Sequence, residues 1–82
     1  MNYPCPCCFN LTLSEQPPGT YEVCPVCYWE DDPVQFVDEE YEGGANNVSL
    51  IKGRENYRAF GACSEDFRLD VRKPTVDEVP KD

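Results

Sequence analysis

A small, metal-stabilised α+β fold, in which a hairpin clamped by two cysteine knuckles is followed by one or two short helices, is predicted by three features of the 82-residue sequence. Cys5-Pro6-Cys7-Cys8 and Cys24-Pro25-Val26-Cys27 form two Cys-x-x-Cys pairs separated by 15 residues. The segment between them alternates apolar and polar residues on either side of Pro17-Pro18-Gly19, and a capped amphipathic stretch begins at Ser49. A chain this short buries little apolar surface, so it needs a staple such as a metal or disulfides. A single domain is expected over residues 1–82, divided into a ribbon at 3–29, an acidic loop at 30–47, a helical segment at 48–72 and an extended tail at 73–82.

Each cysteine pair suits a tight turn whose two sulfurs face one ion, and two such turns complete a tetrahedron with metal–sulfur distances of about 2.3 Å. Proline follows the first cysteine of both pairs and fixes the backbone at the same point. The ligands are assigned to Cys5, Cys8, Cys24 and Cys27, with Cys7 an alternative to Cys8 and Cys63 a small buried apolar residue. Zinc is the expected ion and iron its rival, because thiolate geometry alone does not separate them. A disulfide framework fits the even count of six cysteines, but it needs an oxidising compartment, and adjacent Cys7 and Cys8 are awkward cross-link partners. A thioredoxin-type redox pair would open a helix, which the alternating residues after Cys8 argue against.

Between the knuckles, Phe9–Leu13 and Thr20–Val23 read as the two strands of a hairpin, which with the knuckles makes a zinc ribbon. Metal binding then becomes folding free energy, about 10–16 kcal/mol in small zinc peptides. Tyr28 and Trp29 follow the last ligand and are expected to pack over the sulfurs, the alternative being Trp29 as an exposed anchor among carboxylates. The run Asp38-Glu39-Glu40-Tyr41-Glu42 lacks the spacing of a calcium loop. Further on, Leu50, Gly53, Tyr57 and Phe60 share one stripe of a helix capped by Ser49 and ended by Gly61, and Gly53 on that stripe predicts close approach to the ribbon. Ser64 caps a second short helix, and the chain from Lys73-Pro74 onward reads as an extended tail.

Charge is distributed unevenly. Residues 1–51 hold nine acidic side chains and no Lys or Arg, whereas residues 52–82 hold seven of each, so the first part carries the whole net charge of -9. Such a surface repels phosphate backbones and attracts a basic partner. With no histidine, Ser-His and Cys-His catalytic arrangements are excluded. No apolar run is long enough to span a membrane, and Met1-Asn2-Tyr3-Pro4 lacks a secretory start, which gives a cytoplasmic expectation.

The ordered motifs Tyr3-Pro4-Cys5-Pro6-Cys7-Cys8, Pro17–Cys27, Trp29-Glu30-Asp31-Asp32-Pro33, Tyr41–Asn46, Val48-Ser49-Leu50 and Phe60-Gly61-Ala62 resemble the bacterial cysteine-rich CPCC family from about residue 3 to Pro74. The resemblance implies a small bacterial protein with a zinc-ribbon element and brings no settled activity. Phe9 stands where glycine is expected after the first knuckle.

These features favour a zinc-binding protein-interaction module, in its sharpest form an immunity or antitoxin-type inhibitor that masks a basic partner such as a nuclease toxin. Its binding residues would be Trp29, Glu30, Asp31, Asp32, Phe36, Asp38, Glu39, Glu40, Tyr41 and Glu42, aromatics and carboxylates that imitate bases and phosphates. A nucleic-acid-binding ribbon is a second reading, but Lys52, Arg54, Arg58, Arg68, Arg72 and Lys73 lie in a stretch that nets only +2. Electron transfer by a rubredoxin-like iron site is a third. Catalysis is not expected, because an ion saturated by four thiolates has no position left for water. A monomer, or a weak dimer through Tyr57 and Phe60, is anticipated.

Overall fold

The computed structural model describes residues 2–81. Strand β1 (Tyr3–Pro4) enters the first knuckle and β2 (Leu11–Leu13) leaves it, pairing antiparallel in the register Tyr3 to Leu13 and Pro4 to Leu11 with a bulge between. Helix α1 (Pro33–Val37), helix α2 (Leu50–Phe60) and a single 3-10 turn at Glu65–Phe67 complete the regular structure.

The predicted hairpin between the knuckles is replaced by two smaller ones. Around the first, Cys5 N–H donates to Asn10 O at 2.9 Å and Phe9 N–H to Cys5 O at 2.8 Å. Around the second, Cys24 N–H donates to Trp29 O at 2.9 Å and Tyr28 N–H to Cys24 O at 2.7 Å. Beyond it Val23 bridges Glu30 antiparallel, and Tyr21 N–H reaches Asp31 O at 3.0 Å. The physical reason is local: each knuckle reverses the chain within six residues, so its incoming and outgoing segments already lie side by side. Segments 9–13 and 20–23 are instead tied by the Glu22 carboxylate, which accepts from Ser14 N–H and Ser14 Oγ at 3.1 and 2.8 Å.

Reversal in so few residues demands left-handed backbone just after each second cysteine. Phe9 has φ 66° and Tyr28 φ 71°, a region that costs an L-residue about 1–2 kcal/mol. Glycine would be relaxed at either position, which is why Phe9 stood out in the sequence. Tyr28 gains a compensating contact, its ring lying 5.3 Å from that of Phe67.

Residues 30–47 are an ordered unit rather than an acidic loop. Asp32 is the N-cap of α1, its Oδ1 accepting from Val34 N–H at 2.7 Å while Oδ2 accepts from Ala45 N–H at 2.8 Å. Those bonds, Ala45 first, hold the Asp32 carboxyl below its usual range. Gln35 is fully buried; its Nε2 donates to Tyr41 O and Val48 O at 3.0 and 2.9 Å, and its Oε1 accepts from Asn46 N–H and Nδ2 at 3.1 and 2.9 Å. Asn46 in turn clasps Glu30 through both backbone groups at 2.8 Å. Every polar atom of this Gln35–Asn46 pair is engaged, which is what makes its burial tolerable.

Helix α2 follows its sequence signals closely. Ser49 Oγ accepts from Lys52 N–H at 3.1 Å, and Gly61 at φ 86° donates its N–H to Tyr57 O. Leu50 and Gly53 are buried, Tyr57 and Phe60 partly so, and Tyr57 OH accepts from Asn10 Nδ2 at 3.0 Å. A Cβ on Gly53 would stand 3.2 Å from Cys7 Sγ and 3.3 Å from the Trp29 ring, so the expected close approach is met. The second helix shrinks to the one turn capped by Ser64, with Leu69 almost wholly exposed.

The tail is docked against the body. Glu78 O accepts from Leu11 N–H at 2.6 Å, and the Arg72 guanidinium grips the Glu78 carboxylate at 2.8 and 2.9 Å. That grip holds the Glu78 carboxyl down at about 2.

Two predictions follow from this packing. Gly53→Ala gains about 1 kcal/mol of helix propensity but forces a methyl onto buried Cys7 and Trp29, where overpacking costs about 1–3 kcal/mol; a lower denaturation midpoint is expected, with Gly53→Val lower still. For the tail, a depressed carboxyl pKa stabilises docking above the ordinary value near 4.5 and ceases to do so as pH falls through about 2. At neutral pH Glu78→Gln removes the charge directly, and faster hydrogen exchange at the Leu11 amide is expected.

Candidate metal centre

The two knuckles bring the sulfurs of Cys5, Cys8, Cys24 and Cys27 within 4.8 Å of one another, all four residues buried. The Cys5–Cys27 and Cys8–Cys24 separations are 3.6 and 3.7 Å. A tetrahedral ion with metal–sulfur bonds of about 2.3 Å requires edges of about 3.8 Å, whereas a disulfide requires about 2.05 Å, so the cage fits an ion and not a pair of cross-links. Each short edge joins one cysteine from each knuckle, which is how one ion would hold the two turns together.

Polar groups close around the cage. Cys7 N–H points to Cys5 Sγ at 3.4 Å and Trp29 N–H to Cys27 Sγ at 3.5 Å. Thr12 Oγ1 lies 3.0 Å from Cys24 Sγ, near enough for its hydroxyl to donate to a thiolate. Four thiolates around a divalent ion leave a net charge of -2 in a buried place, and these donors are what the chain offers to spread it. The sulfurs cannot all ionise on their own. Crowding by the neighbouring sulfurs, Cys27 first, holds the Cys24 thiol below its usual range, and the same proximity pushes Cys27 above it. A cation resolves that conflict by replacing the shared protons.

Cys7 and Cys63 stand apart from the four-sulfur cluster although both are buried. Cys7 packs under Gly53 of α2. Cys63 sits behind the second knuckle, its N–H donating to Cys27 O at 2.8 Å, and burial pushes its thiol up to about 12. It is the small apolar residue the sequence suggested. Trp29 packs into the cysteine core and is 1% exposed.

A family model described as cysteine-rich CPCC matches residues 3–78. The chain belongs to the cysteine-rich CPCC family. A search of curated proteins found no match. The CPCC match reaches Glu78, the residue whose carbonyl and carboxylate dock the tail, so the matched span includes the whole docked fold.

The proposed partner-binding residues are divided by the fold. Trp29 and Asp31 are inside, Asp32 is nearly so, and Glu30 is half-buried with its backbone clasped by Asn46. Asp31 Oδ2 accepts from Thr20 N–H and Oγ1 at 2.9 and 2.8 Å, so this carboxylate ties the second knuckle rather than facing a partner. As contact residues, Trp29, Asp31 and Asp32 are therefore corrected. Trp29 instead takes the expected place over the sulfurs, the exposed anchor being the alternative that fails, while Asp31 and Asp32 serve as acceptors for backbone N–H groups. Phe36, Asp38, Glu39, Glu40, Tyr41 and Glu42 do lie on the surface.

The roles of Gln35, Asn46 and Thr12 escaped the sequence reading, which placed Arg54 only among the cations of the nucleic-acid alternative. Arg54 Nε donates to Pro6 O at 2.9 Å, its NH1 meets Glu39 at 3.3 Å, and its guanidinium lies over the Phe9 ring at 5.1 Å. It locks α2 onto the first knuckle. The lone signal available was its place one turn before Arg58 on a helix; which knuckle it would face was not legible.

One metal ion per chain is expected by elemental analysis of the reduced protein. Serine at Cys5, Cys8, Cys24 or Cys27 removes it, whereas Cys7→Ala and Cys63→Ala retain it. Chelation unfolds the chain, and affinity falls as pH falls because protons compete for the sulfurs. Thr12→Val should weaken metal retention about tenfold or more in competition with a chromophoric chelator, and Thr12→Ser should not.

Proposed function

We propose that this protein is a zinc-loaded, non-catalytic interaction module whose exposed acidic face masks a basic partner, with an immunity or antitoxin-type inhibitor of a nuclease toxin as its most specific form. The observation that carries this reading is the surface run Phe36–Glu42. Asp38, Glu39, Glu40 and Glu42 are exposed there beside Phe36 and Tyr41, on a segment fixed from below by Gln35 and Asp32. Held in this way, the face loses little conformational freedom on binding, and its charge raises the association rate and selects partners of opposite sign.

Three features support the remaining parts. A buried cage already supplied with four sulfurs leaves no place for a reacting water, in keeping with a structural ion. Zinc suits a cage whose role is to hold two turns together, having no redox chemistry of its own. Nucleic-acid binding is disfavoured because several cations are already engaged: Arg54 by Glu39, Arg72 by Glu78 and Lys52 by Glu55. The iron reading keeps one specific support in the N–H contacts to sulfur, which also suit a thiolate electron carrier.

Native mass spectrometry of untagged protein recovered under reducing conditions tests the proposal. A colourless zinc species carrying a basic protein in fixed stoichiometry is expected. The triple variant Asp38→Asn, Glu40→Gln, Glu42→Gln should weaken that complex at least about tenfold and flatten its salt dependence. A red iron-loaded monomer, or a complex indifferent to the triple variant, overturns it.

A further inference from the structure

Beside the first knuckle lies a mainly apolar groove of about 340 Å³, lined by Tyr3, Pro6, Phe9, Pro17, Phe36 and Arg54 among others. Its size is at the lower end of ligand sites, enough for one or two bulky side chains. Three observations say what would enter it. Phe9 holds a left-handed backbone that glycine would adopt without cost, yet its ring is 50% exposed. Its counterpart Tyr28 is covered by Phe67, whereas Phe9 meets only the Arg54 guanidinium among the aromatic and cationic stacking contacts of the described residues. Tyr21 shares the left-handed backbone and the exposure, so what sets Phe9 apart is its place in the groove wall.

The second observation is that Arg54, the one charged lining residue, is already engaged by Pro6 O, Glu39 and the Phe9 face. The groove therefore offers little to an anion. Third, its surroundings are acidic: Glu15 adjoins lining residue Gln16, Glu39 meets Arg54, and no Lys or Arg occurs before residue 52.

We propose that this groove anchors a linear basic segment of a partner protein. One large aromatic or aliphatic side chain enters between Phe9 and Phe36, and flanking lysines or arginines meet Glu15 and Glu39. The inference rests on the acidic-interface reading above and adds to it an apolar anchor site in which Phe9, absent from the acidic run, takes part.

The test is selection of a random peptide library displayed on phage against the metal-loaded protein, followed by affinity measurement on the selected peptides. Peptides with one bulky apolar residue among basic ones are expected. Phe9→Gly and Phe36→Ser should each weaken them at least about tenfold, with metal content unchanged. Phe9→Gly also relieves the backbone, so its unfolding midpoint should stay near that of the parent, which separates lost binding from lost folding. Basic peptides that lack an apolar residue, and that weaken only on Glu15→Gln or Glu40→Gln, discard the groove and leave the acidic interface standing. Selection of acidic peptides, or of none, discards both. A dimer seen by sedimentation and broken by Phe9→Gly gives the groove to a second copy of the chain and overturns the proposal as well.

Discussion

The convergence of four cysteine sulfurs within 4.8 Å is the constraint on which the rest of this small structure depends. Of the eleven buried hydrophobic residues among those described, six are cysteines, and the others are Leu13, Val26, Trp29, Leu50 and Ala62. Five such residues make too thin a core to hold a chain of this length against the entropy of ordering it. The sulfurs therefore act as packing and are placed to act as ligands as well, and an ion shared between the knuckles would supply the cohesion that a larger protein draws from apolar area. Helix α2 depends on that centre too, since Gly53 lets its backbone settle on Cys7 and Trp29.

Beside the sulfur core lies a second, polar one. Asp32, Gln35 and Asn46 are buried and bonded to each other's neighbourhoods, so that residues 30–47 fold back into the body instead of hanging from it. A missing bond in such a network costs more than its presence contributes, which makes it a device for fixing one conformation. Its consequence is that the acidic run emerging from α1 has a fixed position on the surface. Function as an interaction face follows from this fixation as much as from the charge.

The same economy appears in the knuckles. Two turns of nearly identical hydrogen bonding place Phe9 and Tyr28 in left-handed backbone, and the chain uses aromatic residues at both. One ring is covered by Phe67 and the other stands at a groove wall under Arg54. Identical local geometry thus serves packing on one side of the molecule and exposure on the other.

The sequence by itself determined what depends on short range. The four-cysteine cluster, the two knuckles, the Ser49 cap, the Gly61 stop and the buried role of Cys63 all follow from spacing or from one residue's conformational preference. Tertiary structure decided the partners. Segments 9–13 and 20–23 alternate as strands should, but alternation does not say which segment lies alongside, and each knuckle captures its own flanks. Asp31 and Asp32 look like surface charge until Thr20, Val34 and Ala45 present N–H groups to them. Trp29 is expected over the sulfurs from its place after the last cysteine, but its contact with Gly53 of α2 is a tertiary matter, as is the docking of the extended tail through Arg72 and Glu78. In each case a side chain's role was fixed by a donor or a surface distant in sequence, which pattern along the chain does not encode.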